Sequence, residues 1–204
     1  MNQAKASGIR NLFKILVTSL LLCVLGLQPR PVIDLAVLKN LFAARSRTAH
    51  PDHSVNADFV ELNEAFRTLS DPVARIGHLL ALTGDEIPAA TSSPEVSRWF
   101  GPVATAIQNF DRAFQPVAQE NSALLRAVKI QEMQSTVSEL DKMSSSLISE
   151  RDRVLRELAE VDAHWPANMT RERPALARIA SDLRFLQKWL AQIGERRLRF
   201  EELL

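Results

Sequence analysis

The chain has 204 residues, with 25 basic and 24 acidic side chains and a formal net charge of +1. That balance excludes a whole-molecule electrostatic pull toward nucleic acid or an anionic membrane, which needs a summed field of one sign. A hydrophobic content of 46% can bury a core in one or two domains, and the lone cysteine, Cys23, excludes an internal disulfide and any Cys-rich metal centre.

With six glycines, no tyrosine and no alternating β-branched runs, the predicted fold class is all-α. Residues 1–14 are polar and basic (Lys5, Arg10, Lys14), and residues 15–27 are almost wholly apolar. A basic stretch before an apolar run outlines a secretory signal, but this run is short for a membrane span and no small-residue cleavage pattern follows. Two readings stand. Either residues 17–27 form a first helix packed on its successors, with residues 1–14 an extension, or residues 15–27 tether the chain to a membrane. Gly26 and Pro29 favour the packed helix, because they place a helix stop where a helical hairpin needs one.

Asp34 is suited to cap the next helix, predicted over residues 34–49, because its side chain can accept from the free amides of the first turn. Leu35, Leu38 and Leu41 or Phe42 give that helix an apolar face, and Lys39, Arg45 and Arg47 add three cations. The sequence Thr48-Ala49-His50-Pro51-Asp52-His53 follows. Proline lacks an amide hydrogen and disfavours helical geometry in the residue before it, so a turn is expected there. A second helix over residues 58–69 carries the stripe Phe59, Leu62, Ala65, Phe66 and Leu69. Asp71-Pro72 then opens a shorter segment with Val73, Ile76, Leu79, Leu80 and Leu82, closed by Gly84. Residues 25–84 thus read as one compact helical domain, with residues 1–24 an extension that merges into its first helix.

Residues 85–94 hold two prolines among small polar residues and read as a linker. Beyond it, residues 95–204 carry apolar residues at 3–4 spacing. Val96, Phe100, Val103, Ile107, Phe110 and Phe114 mark one helix, ended by Pro116. A long helix over residues 121–161 is marked by Leu124, Val128, Met133, Val137, Leu140 and Leu147 onward. Trp165-Pro166 and Asn168 are expected to break it. A last helix from about residue 173 carries Leu176, Ile179, Leu183, Leu186, Leu190, Ile193, Phe200 and Leu204. Three such helices with short breaks predict an antiparallel three-helix bundle.

No catalytic constellation emerges, so the chain is not expected to be an enzyme. His50 and His53 lack further ligands at metal spacing, and there is no glycine-rich phosphate loop and no Gly-x-Ser-x-Gly elbow. No metal and no cofactor is expected. The His50-Pro51-Asp52 turn makes sense instead as a recognition element. Pro51 fixes one backbone angle and lowers the entropy lost on docking, His50 offers donor and acceptor nitrogens, and Asp52 offers an anion. The other reading is that Asp52 simply caps the following turn.

A His-Pro-Asp turn between two such helices resembles the J-domain, through which co-chaperones stimulate a DnaK-type heat-shock ATPase. Residues 62–75 (Leu-Asn-Glu-Ala-Phe-Arg-Thr-Leu-Ser-Asp-Pro-Val-Ala-Arg) resemble the third-helix signature of the HscB co-chaperones, and residues 76–84 continue it. Leu25-Gly26-Leu27 resembles that family's opening, and residues 182–188 (Asp-Leu-Arg-Phe-Leu-Gln-Lys) its C-terminal helix. The resemblance implies a J-domain over residues 25–84, a helical hairpin, followed by a three-helix client domain. It implies two partners: an HscA-like ATPase of the DnaK type and an IscU-like iron-sulfur scaffold protein as client. By the resemblance His50, Pro51, Asp52, Lys39, Arg45 and Arg47 would dock on the ATPase. Trp99, Phe100 and Phe185 are the candidate client surface, with core packing as the other reading of each. Nucleic acid is not an expected partner, and the expected compartment is cytoplasmic, with membrane anchoring through residues 15–27 as the alternative. The residues carry no signal for an oligomeric state.

The chain departs from the family pattern in several places. Ala49 stands where J-domains usually carry an aromatic residue, and the loop after His50 is shorter than the family's. The stretch between Gly84 and Leu183 is longer, and the first helix after the linker offers only Glu95 and Asp111 as acids. A J-protein that recruits the ATPase to a different client is the alternative those departures leave open.

Overall fold

A computed structural model describes residues 25–48, 57–82 and 90–204. Among the described residues every regular element is a helix: α1 (Leu35–Thr48), α2 (Ala57–Ser70), α3 (Pro72–Leu82), α4 (Pro94–Ser97), α5 (Phe100–Ala118) and α6 (Ala123–Glu201). The all-α expectation is met. Residues 15–24, the His50-Pro51-Asp52 turn and residues 85–89 of the 85–94 linker lie outside the described residues.

The chain divides into two units, one comprising Met1–Thr91 with Arg156–Ser181, the other Ser92–Leu155 with Asp182–Leu204. Helix α6 contributes to both.

In the first unit two aspartates cap helices, and Asp34 is the one the sequence predicts. Asp34 Oδ1 accepts the amides of Ala36 at 2.7 Å and Val37 at 3.4 Å, and Asp71 Oδ1 accepts that of Val73 at 3.1 Å. Each satisfies amides that the first helical turn leaves without a partner. Helices α1 and α2 pack as a hairpin around Leu25, Leu38, Leu62, Ala65 and Leu69. Burying each such leucine stabilises the fold by about 1.5–3 kcal/mol. Phe42 and Phe66 close one side of this core, with ring centroids 4.5 Å apart. Phe59, the first member of the expected α2 stripe, is instead 45% exposed.

Residues 29–32 run as a non-helical strap, and three side chains hold its backbone. Trp165 Nε1 donates to the Pro29 carbonyl at 2.9 Å, Arg75 Nε to the Pro31 carbonyl at 2.8 Å, and the Val32 amide to Asp162 Oδ1 at 3.0 Å. Arg30 adds an ion pair to Asp162 at 2.6 Å. Arg75 also donates to the Leu69 carbonyl at 2.5 Å, at the end of α2. Its guanidinium is buried, and that desolvation pulls its pKa down while Asp71 and Asp162 oppose the shift. Buried Arg173 donates to the Leu80 carbonyl at 3.0 Å, serving the last turn of α3.

The break expected at Trp165-Pro166 is narrower than the sequence implies. Helical backbone runs through both residues, and only Asn168 leaves it, at φ −131° and ψ 28°. Trp165 does not interrupt α6; it is buried, and its indole nitrogen reaches the strap. Beyond Asn168 the chain returns antiparallel, and within the first unit Arg178 pairs with Glu157 across the two limbs.

In the second unit α5 and the two limbs of α6 form a three-helix bundle. Asp111 of α5 pairs with Arg196 at 2.6 Å, and Asp141 of the outgoing limb pairs with Arg197 of the returning one. The hydrogen bond that Arg197 donates to Asp141 is the main reason its pKa lies above the ordinary value. Val103, Phe110, Leu140, Leu147, Leu183 and Leu186 are buried in the core. Leu124 and Val128, expected on the core stripe, are 76% and 47% exposed, and the first buried residue of α6 is Met133. Pro116 does not end α5, which continues to Ala118; proline denies the helix one amide, but the helix has only two residues left to run.

Candidate functional site

Two surfaces carry the residues singled out by sequence, one in each unit.

The first is the outer side of α1. Lys39 and Arg47 are exposed on it. At 100° per residue they lie about 80° apart, so one partner can meet both. Arg45 sits about 120° from Lys39 on the same reckoning, toward the stripe that buries Leu38. Its Nη2 is 3.5 Å from the position a Cβ on Gly26 would occupy. Gly26 has φ +68°, a left-handed conformation that costs side-chain-bearing residues energy, so the glycine is what lets the chain turn there. All three cations are exposed: Lys39 and Arg47 lie closer together around the helix, and Arg45 reaches over the Gly26 turn. His50, Pro51 and Asp52 fall in the eight residues between α1 and α2, outside the described residues.

The second surface is a groove of about 340 Å³ between α5 and the returning limb of α6, lined by Phe100, Val103, Ile107, Phe185, Lys188 and Trp189 among others. Phe100 sits edge-on to Phe185 and to Trp189, with centroids 4.8 Å apart in both pairs, and Phe185 stacks on Trp189 at 5.7 Å. Such pairs add about 0.5–1.5 kcal/mol beyond area burial. Trp189 forms the floor at 6% exposure, whereas Phe100 is 42% exposed. The stripe read from the α5 sequence thus has two fates. Val103, Phe110 and Phe114 are buried in the bundle, while Phe100 and the half-buried Ile107 open into the groove.

A hydrogen bond sets this register. Ser93 caps α4, its Oγ accepting the Val96 amide at 3.3 Å, and its own amide donates to Asp182 Oδ1 at 2.8 Å. Asp182 is fully buried, three residues before Phe185 on the same helix. The carboxylate therefore fixes where the chain enters α5, and with it where Phe100 meets Phe185.

Of the residues expected to form a client surface, Phe100 and Phe185 come together and Trp99 does not join them. Trp99 is half-buried beneath the Arg98 guanidinium, 5.3 Å from its ring centroid, and does not line the groove. Trp189 is the member that sequence reasoning missed; its i, i+4 spacing from Phe185 is the signal that would have found it. The two acids noted in the first bundle helix differ in circumstance. Glu95 is exposed in the first turn of α4, whereas Asp111 is engaged by Arg196 and, at 3.7 Å, by Arg199. Among the described residues no group of His, Cys, Asp or Glu converges as a metal site, and no helix is long and apolar enough to cross a membrane.

Comparison with known proteins gives a partial match. The chain is 35% identical over 72 residues to a protein named "Co-chaperone protein HscB homolog" from Shewanella pealeana (strain ATCC 700345 / ANG-SQ1). It is 33% identical over 72 residues to one of the same name from Shewanella halifaxensis (strain HAW-EB4). Each match covers 30% of this chain and 41% of the relative. No protein-family model matches the chain, and no solved structure matches it. The chain thus spans less than half the length of the relatives it matches.

Proposed function

We propose that this chain is a J-domain co-chaperone: it docks on a DnaK-type ATPase through the His50-Pro51-Asp52 turn and α1, and presents a client held on its helical bundle. The observation that carries this reading is the similarity to HscB co-chaperones in a chain whose α1 and α2 pack as a hairpin on either side of a His-Pro-Asp sequence. Pro51 would limit the entropy lost on docking. Lys39 and Arg47, exposed on α1, supply the positive charge that would steer an acidic ATPase surface onto the turn. The chain itself breaks no bond; it would favour the hydrolysis-competent state of the ATPase by binding that state better.

The client half of the proposal rests on the groove. Exposed Phe100, half-buried Phe185 and the buried floor residue Trp189 make an aromatic groove of the kind that anchors a partner segment, with Trp189 fixed by two ring contacts. By the family resemblance the client is an iron-sulfur scaffold protein, and the function is cluster assembly or transfer. A different client is the second reading. What favours it is the groove's charge: Asp111 is engaged within the bundle, and Lys188 is the one charged lining residue.

The test is steady-state ATP hydrolysis by a DnaK-type ATPase with wild type and with His50→Gln. Stimulation by wild type that the variant lacks supports the proposal; absence of stimulation by wild type overturns it. Capture of a purified scaffold protein by the full chain, lost on Phe100→Ala, supports the scaffold as client.

A further inference from the structure

We infer that the groove takes a partner segment in which bulky apolar side chains are flanked, within about one helical turn, by a carboxylate. The inference rests on the client reading above and adds the chemistry of what the groove selects. The floor and walls are apolar: Trp189, Val103 and the open faces of Phe100 and Phe185. A volume near 340 Å³ lies within the range of about 300–1,000 Å³ in which pockets enclose a ligand group.

Charge gives the groove its sign. Of its nine lining residues Lys188 is the only charged one. Arg184, Lys188 and Gln192 follow one another at i, i+4 spacing, so they stand in a row along one edge. Arg184 and Lys188 are exposed, and among the described residues neither forms an ion pair.

The acids nearby are engaged elsewhere. Asp111 pairs with Arg196 and Arg199, Glu150 with Arg98 and Arg153, and Asp182 accepts the Ser93 amide. Glu195, the next acid along the helix, is not part of the lining. An apolar floor edged by uncompensated cations favours a carboxylate on the occupant and repels a basic segment. The amides of Gln108 and Gln192 can meet polar groups of the occupant's backbone.

The experiment uses the full chain and three fluorescein-labelled helical peptides, read by fluorescence anisotropy. Each peptide carries leucine at two positions one turn apart and, one turn further, Glu, Gln or Lys. The Glu peptide is expected to bind about threefold tighter than the Gln peptide, with the Lys peptide weakest and the spread narrowing as salt rises. Lys188→Glu should reverse the order, and Phe100→Ala should weaken all three alike. Lys188 is exposed, so its replacement leaves the fold intact, which circular dichroism checks. An order that Lys188→Glu leaves unchanged, or equal binding of all three peptides, overturns the inference. Equal binding that Phe100→Ala abolishes overturns the charge selection while retaining the groove as a binding site; no binding to wild type overturns both. ATPase stimulation, measured separately, bears on the docking reading alone.

Discussion

The buried carboxylate of Asp182 accepts the backbone amide of Ser93 at 2.8 Å, joining residues 89 apart in sequence. Ser93 caps the short helix that leads into α5, and Asp182 lies one turn before Phe185. One hydrogen bond to a charged acceptor thus sets both the entry of α5 and the meeting of Phe100 with Phe185. Asp182→Ala should cost about 1–3 kcal/mol, the usual loss when a buried amide is left without its acceptor. Asp182→Asn, which keeps an acceptor oxygen, should cost less. Chemical denaturation of both variants checks the ranking, and equal stability of Ala and wild type would show the bond to be dispensable.

Gly26 supplies a second, backbone-level prediction. At φ +68° an alanine is expected to cost about 1–2 kcal/mol, although the nearest side-chain atom stands 3.5 Å away and leaves room for a methyl group. Gly77 is the control. It lies inside α3 with nothing within 4 Å of an added Cβ, so Gly77→Ala should stabilise the fold by about 0.5–1 kcal/mol. Thermal unfolding of the two variants should move in opposite directions.

The strap at residues 29–32 offers a third. Trp165→Phe removes the donor to the Pro29 carbonyl and leaves a smaller ring in a buried site, so a loss of about 1–3 kcal/mol is expected from the two effects together. Arg75→Met should cost more, because it leaves the Pro31 and Leu69 carbonyls without their donor at once. A Met variant more stable than the Phe variant would contradict the assignment of the strap to Arg75.

A pH prediction follows from the start of α6. Lys129 donates to Glu120 at 2.7 Å and the Ser122 amide donates at 3.0 Å, and these bonds, the lysine's foremost, hold the Glu120 carboxyl below its ordinary pKa. A depressed folded-state pKa contributes stability that is present above the unfolded value of about 4.3 and is lost as pH falls through the folded value. In carboxyl carbon NMR the Glu120 midpoint should therefore lie below that value and rise in Lys129→Met. An unchanged midpoint would contradict the pairing.

Much of the fold was legible in the sequence because helices write their burial at 3–4 spacing. Leu62, Ala65 and Leu69, and Val103, Phe110 and Phe114, are buried as their spacing requires. The caps at Asp34 and Asp71 were local, and Asp34 was read as one. What spacing cannot show is which apolar residues of a stripe meet a neighbour. Phe59, Leu124 and Val128 continue the period but are exposed among the described residues. The groove was half legible: Phe100 and Phe185 stand out in the sequence, while Trp99 neighbours Phe100 in sequence and Trp189 neighbours it in space. Contacts such as Asp182 with Ser93 or Trp165 with Pro29 join residues 89 and 136 apart, and no local pattern announces them.

The central claim is that one chain both docks on the ATPase and delivers a client to it. Its most direct test is the ATP hydrolysis rate of a DnaK-type ATPase, measured with wild type, His50→Gln and Phe100→Ala, each with and without a purified scaffold protein. Wild type should stimulate hydrolysis alone and further with the scaffold, Phe100→Ala should stimulate alone but gain less from the scaffold, and His50→Gln should do neither. Stimulation by His50→Gln equal to that of wild type would contradict the account.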